Sequence, residues 1–424
     1  MQIIENLKIK EKVYIEKLEN GLTVMIIPKK NIRKKYIIWG TNYGSNDSKF
    51  IVPGEENETI VPDGVAHFLE HKMFEQENGT NSLDVLSALG VNANAYTTND
   101  HTAYLFECTD KFYEALDELM DYVQNPYFTD ENVEKEKGII GQEIMMYDDY
   151  PEWKVYINAM KAMYYENPVK IDITGTIETI SHIDKEILYK CYNTFYNPSN
   201  MAMVVCGDFE PNEILSQIKS RLVEKKAIGE IKRIYPTEVS DIVKNEVIEK
   251  MEVSQPIFVI GIKDEPVASE DIVKKHIAVE ILLSMLLGNS SELYKKLYDE
   301  GLLMNTTGND YEFSKSYAHV MITGQSKNPH KVYEEIKNKI NDTKNSGLNE
   351  DDFERTKKMI YGKYAKEYND VGDIARMFLA DYFKGINSFE YIEEITTVTK
   401  EYAEQVLRDV FNDEKMIISI VECK

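Results

Sequence analysis

The string Thr129-Asp130-Glu131-Asn132-Val133-Glu134 has a counterpart 220 residues later, from position 130 to 350, in Asn349-Glu350-Asp351-Asp352-Phe353-Glu354. Tyr147-Asp148-Asp149 resembles Glu367-Tyr368-Asn369 at the same offset. A chain of 424 residues is too long for one ordinary hydrophobic core. A repeat whose period is about half the chain therefore reads as a duplicated domain. In each copy a β-rich stretch is followed by helices, another strand and a further helix, which places the chain in the α+β class.

The first copy opens with 13–18 and 23–27 flanking Asn20-Gly21, a strong hairpin signal. Residues 36–39 read as a third strand, 82–89 as a short helix ended by Gly90, and 111–124 and 129–146 as longer helices. Further helices are expected at 152–165, 184–194 and 211–222, and a buried strand at 201–206. The first domain then spans 1–225. Residues 226–241, with Gly229, Pro236 and unpatterned charge, read as a linker, and 242–424 as the second domain. The second domain has a strand at 257–260, helices at 271–287 and 292–297, a strand at 320–322 and a long helix.

Chemistry enters at Gly64-Val65-Ala66-His67-Phe68-Leu69-Glu70-His71. Pro62, Asp63 and Gly64 signal a turn with Asp63 as N-cap, and neither Gly nor Pro recurs until Gly79. On a helix, residues four apart share a face about one turn, ~6 Å, along the axis. His67 and His71 can therefore converge on one Zn²⁺, while Glu70 borders the same face and can reach a water at the metal without being a ligand. With 7 His in the chain, composition alone would yield such an H-x-x-E-H string in roughly one chain in a hundred. It is the inverted form of the H-E-x-x-H zinc motif. The second copy has no such string, and Lys363 stands there where Glu143 stands in the first.

A zinc held by two histidines commonly takes a carboxylate as third ligand and leaves the fourth position to water. Glu136 and Glu143 lie seven apart, two turns along one helix face, and on geometry either could supply it. Met145 and Met146 read as core filler. Residues 91–98, Val-Asn-Ala-Asn-Ala-Tyr-Thr-Thr, form a strand of small residues. It suits pairing with an extended peptide as well as it suits an ordinary sheet position.

Lys plus Arg number 49 against 73 Asp plus Glu, a formal charge of −24, which favours neither nucleic acid nor an anionic membrane. The 4 cysteines, Cys108, Cys191, Cys206 and Cys423, have no C-x-x-C spacing and read as reduced thiols of a cytoplasmic protein. The first twenty residues lack the apolar stretch of a signal peptide, and no run approaches the ~18 apolar residues of a membrane span.

On these residues the chain resembles the pitrilysin, insulinase and mitochondrial processing peptidase family, M16, of inverted-motif zinc peptidases. The resemblance is carried by Leu18-Glu19-Asn20-Gly21-Leu22-Thr23-Val24, His67 to His71, Asn94-Ala95-Tyr96-Thr97, Glu134 to Glu143, and Phe195-Tyr196-Asn197-Pro198-Ser199-Asn200-Met201 leading to Cys206-Gly207-Asp208. It implies two homologous α/β-sandwich domains in tandem, each a mixed sheet with helices packed on one side, together forming half of a clamshell. It implies one Zn²⁺ on His67, His71 and Glu143, with Glu70 as general base and Glu136 supporting catalysis from behind the ligands. Asn94, Ala95, Tyr96 and Thr97 would form the strand that takes an extended peptide.

The sequence departs from the family's pattern at Leu297-Tyr298-Asp299-Glu300-Gly301-Leu302-Leu303-Met304-Asn305. Active relatives carry an Arg and a Tyr there, whereas here Tyr298 stands at the Arg position and neither Met304 nor Asn305 can replace the phenol. The resemblance therefore implies a zinc endopeptidase of short or unfolded peptides that needs a homologous sister subunit, as a heterodimer in preference to a homodimer. A non-catalytic peptide-binding or scaffolding subunit is the competing reading.

Overall fold

The computed structural model describes residues 1–266 and 271–424. Contacts divide the chain into two compact units. The first comprises Met1–Ile144, Asp172–Tyr235 and Glu367–Ser388; the second comprises Met145–Ile171, Pro236–Lys366 and Phe389–Lys424.

The first unit is built on a seven-stranded sheet in the order Gln2–Asn6, Glu11–Lys17, Thr23–Pro28, Met201–Gly207, Lys35–Thr41, Thr102–Cys108, Asn92–Thr97. Thr23–Pro28 and Met201–Gly207 run parallel and every other neighbouring pair antiparallel. The expected hairpin forms, with Gly21 at φ 92° and a hypothetical Cβ only 2.6 Å from Ser199 Cβ, so that glycine is required there twice over. The second unit holds a five-stranded sheet ordered Glu246–Met251, Met416–Cys423, Ile257–Asp264, Ala318–Gln325, Gly308–Phe313. Its first pair is again parallel and the rest antiparallel. The five strands thus repeat the last five of the first sheet in order and direction, which is the duplication at the level of topology. Glu246–Met251, Gly308–Phe313 and Met416–Cys423 are strands that short, charged or terminal sequence did not announce.

Alternation within the central strands decides how the layers form. In Lys35–Thr41, Ile37 and Trp39 point into the main helical side of the first unit, with Phe68, Leu69, Leu116 and Leu119. Full burial of each such side chain contributes about 1.5–3 kcal/mol. Gly40 faces the other way, where a Cβ would stand 2.7 Å from Leu379 Cδ2 of the helix Val371–Lys384. The second unit does the same thing. There a Cβ on Gly261 would stand 2.6 Å from Met163 Sδ of the helix Pro151–Met163, and Val155, Ala159 and Met160 pack on Ile257 and Val259. Among the described residues, most helices lie on one side of each sheet, and one helix lies on the other.

These two lone helices start 220 residues apart, at 151 and 371, and each belongs to the unit that the rest of its own repeat does not build. The compact units therefore cut across the expected division into 1–225, linker 226–241 and 242–424. Ile231 is buried, Lys232–Arg233 pairs with the strand Lys49–Ile51, and Arg233 Nε lies 3.1 Å from the buried Asp47 Oδ1. Further on, Glu238 accepts the backbone N–H groups of Tyr165, Glu166 and Asn167 at 2.9, 2.8 and 2.7 Å and the ammonium of Lys263 at 2.6 Å. Met145 and Met146 are exposed rather than core, because they lie on the side of Asp130–Asp148 opposite the buried Ile140 and Ile144.

Cys108, Cys191 and Cys206 are buried, Cys423 is exposed, and all four are unpaired. Among the described residues no helix is long and apolar enough to cross a membrane.

Candidate metal centre

Val65–Lys72 forms the helix that carries the H-x-x-E-H string. Its N-cap is Gly64 at φ 94°, not Asp63, and no side chain caps it. A Cβ on Gly64 would meet Thr174 O at 2.6 Å, so the tight turn that replaces the cap is open only to glycine. The helix ends at Lys72 although no breaker follows before Gly79, because Glu75 bridges to Asn81 and folds the chain back.

Two helical turns of Asp130–Asp148 face it. His67 Nε2 stands 3.7 Å and His71 Nε2 3.6 Å from Glu143 Oε2, and the ligand atoms of the three residues all lie within 4.8 Å of one another. Ligand atoms on a tetrahedral zinc are about 3.4 Å apart, given bonds near 2.1 Å. Two imidazoles and one carboxylate at these separations fit that ion. Glu136, the alternative ligand on spacing alone, is turned elsewhere: its Oε1 lies 3.1 Å from His71 Nδ1, on the side of the ring away from Glu143.

Protonation of these side chains follows from burial and neighbours. Burial, then the charge of His71, drives the His67 pKa down to about 3, so this imidazole is neutral and free to ligate at neutral pH. His67 Nδ1 is buried with no hydrogen-bond partner among the described residues. Burial also lowers the pKa of His71, but the hydrogen bond to Glu136 and the charges of Glu70, Glu136 and Glu143 outweigh it and leave it raised. The same hydrogen bond, with Lys72, outweighs burial at Glu136 and holds that carboxyl below its ordinary range. Glu143 is raised by burial and by Asp172 and Glu136, against the pull of His71.

Glu70 is buried, and burial raises its pKa against the opposing effects of Thr97 and His71. Its Oε2 accepts a hydrogen bond from Thr97 Oγ1 at 2.6 Å. Thr97 ends the strand Asn92–Thr97, which pairs on one side with Thr102–Cys108 and forms the edge of the sheet on the other. Asn94, Ala95 and Tyr96 lie on the same strand; Ala95 N–H donates to Asn94 Oδ1 at 2.9 Å, and Tyr96 Oη lies 3.3 Å from His101 Nε2. The fold thus gathers His67, Glu70, His71, Glu136, Glu143 and Thr97. The strand Asn92–Thr97 borders the site through Thr97. Two contacts escaped sequence reading, the Thr97 hydroxyl on Glu70 and the buried Lys72 on Glu136. A lysine inside the otherwise apolar run on either side of the motif was the available signal for the second.

In the second unit Lys363, the counterpart of Glu143, reaches Glu280 Oε1 at 3.1 Å, where Tyr364 also donates to Oε2 at 2.5 Å. A cation there takes part in an ion pair and cannot ligate.

Comparison with known proteins shows the family and the fold. Residues 50–177 match the family model described as insulinase (peptidase family M16), and residues 182–360 match that of the peptidase M16 inactive domain. The uncharacterized zinc protease YmfH of Bacillus subtilis is 37% identical over 98% of this chain and 97% of its own length. The crystal structure of an M16-like peptidase from Alicyclobacillus acidocaldarius superposes with a TM-score of 0.94 at 33% identity, covering 99% of this chain and 100% of that one. Pitrilysin shares the fold with a TM-score of 0.76 at 15% identity; the match covers all of this chain and 46% of pitrilysin.

Proposed function

The chain belongs to peptidase family M16, and from that premise we propose that it is a zinc metalloendopeptidase of short or unfolded peptides, with one Zn²⁺ held by His67, His71 and Glu143. The observation that carries this reading is the approach of both imidazole Nε2 atoms to one Glu143 oxygen with the Glu70 carboxylate on the same helix. A zinc ion in that place supplies Lewis acidity, lowering the pKa of a water towards 7 and polarising the scissile carbonyl.

Glu70 takes the proton of the attacking water and passes it to the leaving amine. Its burial favours the protonated form that this transfer creates. Thr97 holds one of its oxygens, so the other is the one presented to the water. Glu136 accepts from His71 Nδ1–H, fixing the tautomer that leaves Nε2 for the metal. The peptide lies extended along Asn94, Ala95, Tyr96 and Thr97 and pairs through its backbone, displacing the Asn94 side chain from Ala95 N–H. Recognition of backbone selects for unfolded chains and leaves sequence preference modest.

The second half of the proposal is a homologous sister subunit, closing the chamber and contributing the Arg and Tyr that Leu297 to Asn305 lacks. Tyr298 and Met304 are both half-exposed or more, so this segment offers a phenol and a thioether but no cation. The half-length match to pitrilysin supports the same reading. The unpaired buried thiols support a cytoplasmic setting.

The test is hydrolysis of a quenched peptide library by the purified chain, with metal analysis, with and without proteins that co-purify from its native cell. About one zinc per chain with activity that appears on adding the partner is the expected result. Glu70→Gln that keeps zinc and loses hydrolysis supports the assignment of the base; undiminished hydrolysis in that variant sinks it. A chain that takes no zinc points instead to a scaffolding subunit.

A further inference from the structure

Resting on the zinc reading above, we propose that Lys72 is a positioning residue of the metal centre: it holds Glu136 against His71 and withholds it from the metal, leaving Glu143 as the carboxylate ligand.

Lys72 follows the second histidine directly, and its side chain is only 1% exposed. A buried ammonium costs several kcal/mol unless carboxylates compensate it. Lys72 has two, Glu75 on the turn after its own helix and Glu136 Oε2 at 3.7 Å. Glu136 is itself nearly buried and is thus engaged at both oxygens, Oε1 by His71 Nδ1 at 3.1 Å and Oε2 by the lysine. Neither oxygen is left to swing to the ligand side of the ring, where Glu143 stands 3.6 Å from His71 Nε2. The two glutamates sit about 10.5 Å apart along their helix, seven residues at ~1.5 Å each. Either could reach a histidine of the facing helix, and the buried cation separates their roles. It also sets a positive charge between Glu75 and Glu136, the histidine's partner, without occupying a ligand position. A methionine at position 72 would fill the same volume and do neither.

The experiment loads wild type, Lys72→Met, Glu136→Gln and the double variant with Zn²⁺, by competition against a chelating indicator, and with Co²⁺, whose visible spectrum reads the ligand set. Lys72→Met is expected to weaken zinc binding about 10-fold, the lower end for partners of a metal ligand, and to change the cobalt spectrum. In the Glu136→Gln background the same lysine change is expected to have little further effect, because the lysine acts through that carboxylate. Far-UV circular dichroism reports folding, and Lys72→Gln, which keeps a hydrogen-bond donor without the charge, replaces the methionine variant if that one does not fold. Wild-type affinity and spectrum in a folded Lys72 variant overturn the proposal, as does an equal effect with and without Glu136. Wild-type protein that takes up neither ion overturns the zinc reading itself, a separate and recognisable result.

Discussion

Thr97 Oγ1 lies 2.6 Å from Glu70 Oε2, and it joins the carboxylate on the motif helix to the last residue of the edge strand. One hydroxyl thereby couples the proposed base to the element proposed to bind the peptide. Movement of the strand by a bound chain would be felt at the carboxylate. Thr97→Val keeps the β-branched shape and removes the donor. In the active assembly it is expected to lower kcat about 10-fold with little change in KM, less than the roughly 100-fold that a ~1 Å misplacement of a reacting group can cost, because the carboxylate stays in place on its helix. Thr97→Ser should recover most of the loss, and steady-state kinetics on one quenched peptide decides it.

Glu143 brings the negative charge of the proposed ligand set to two imidazoles. Zinc at a thousand times its Kd stabilises a protein that binds it only when folded by about 4 kcal/mol. Titrating zinc into metal-free protein should therefore raise Tm by several degrees. Glu143→Ala should abolish the rise, and Glu70→Gln should retain it. Differential scanning calorimetry of the three proteins at equal zinc provides the check.

His101 is buried beside Tyr96 and Phe383, and burial, followed by the charge of Lys384, lowers its pKa to about 4. A histidine folded at about 4 and unfolded at its ordinary 6.5 leaves the unfolded chain with the extra proton between those values. Its contribution to stability is full above about pH 6.5 and is lost as pH falls towards 4. His101→Gln should flatten the pH dependence of urea unfolding in that window by about one proton. An unchanged slope would show that the imidazole does not titrate there.

Glu238 pins the segment between the repeats through three backbone amides and Lys263. Burial raises its pKa, but these hydrogen bonds prevail and the net shift is downward. A depressed carboxyl stabilises the fold above its unfolded pKa and loses that contribution as pH falls through the folded value. Glu238→Ala leaves the buried Lys263 ammonium without its carboxylate, held by the Val239 and Asp241 carbonyls at 2.7 and 2.8 Å, and frees three backbone amides; it should cost about 3 kcal/mol at pH 7. The gap from wild type should narrow in acid. Chemical denaturation at two pH values measures both.

The sequence by itself determined the motif helix, the duplication and the candidate metal-binding string. Each of these rests on spacing along one segment or on comparison of two segments, which the chain encodes without folding. Four-residue spacing places His67 and His71 on one face wherever that helix packs, and seven-residue spacing does the same for Glu136 and Glu143. Which glutamate meets which nitrogen is decided by how far two helices more than sixty residues apart slide past each other. That depends on the whole core between them. The tertiary structure alone sets Glu143 against both Nε2 atoms, turns Glu136 towards Nδ1, buries Lys72 beneath it and brings Thr97 to Glu70. It likewise decided that the helices starting at 151 and 371 are exchanged between the units. A helix with an apolar face is stabilised equally by either of two similar sheets. Gly40 and Gly261 leave room on the two sheets for Leu379 and Met163 respectively, so each sheet accepts such a helix, and which helix it receives is decided in the folded chain and not by either helix's own pattern.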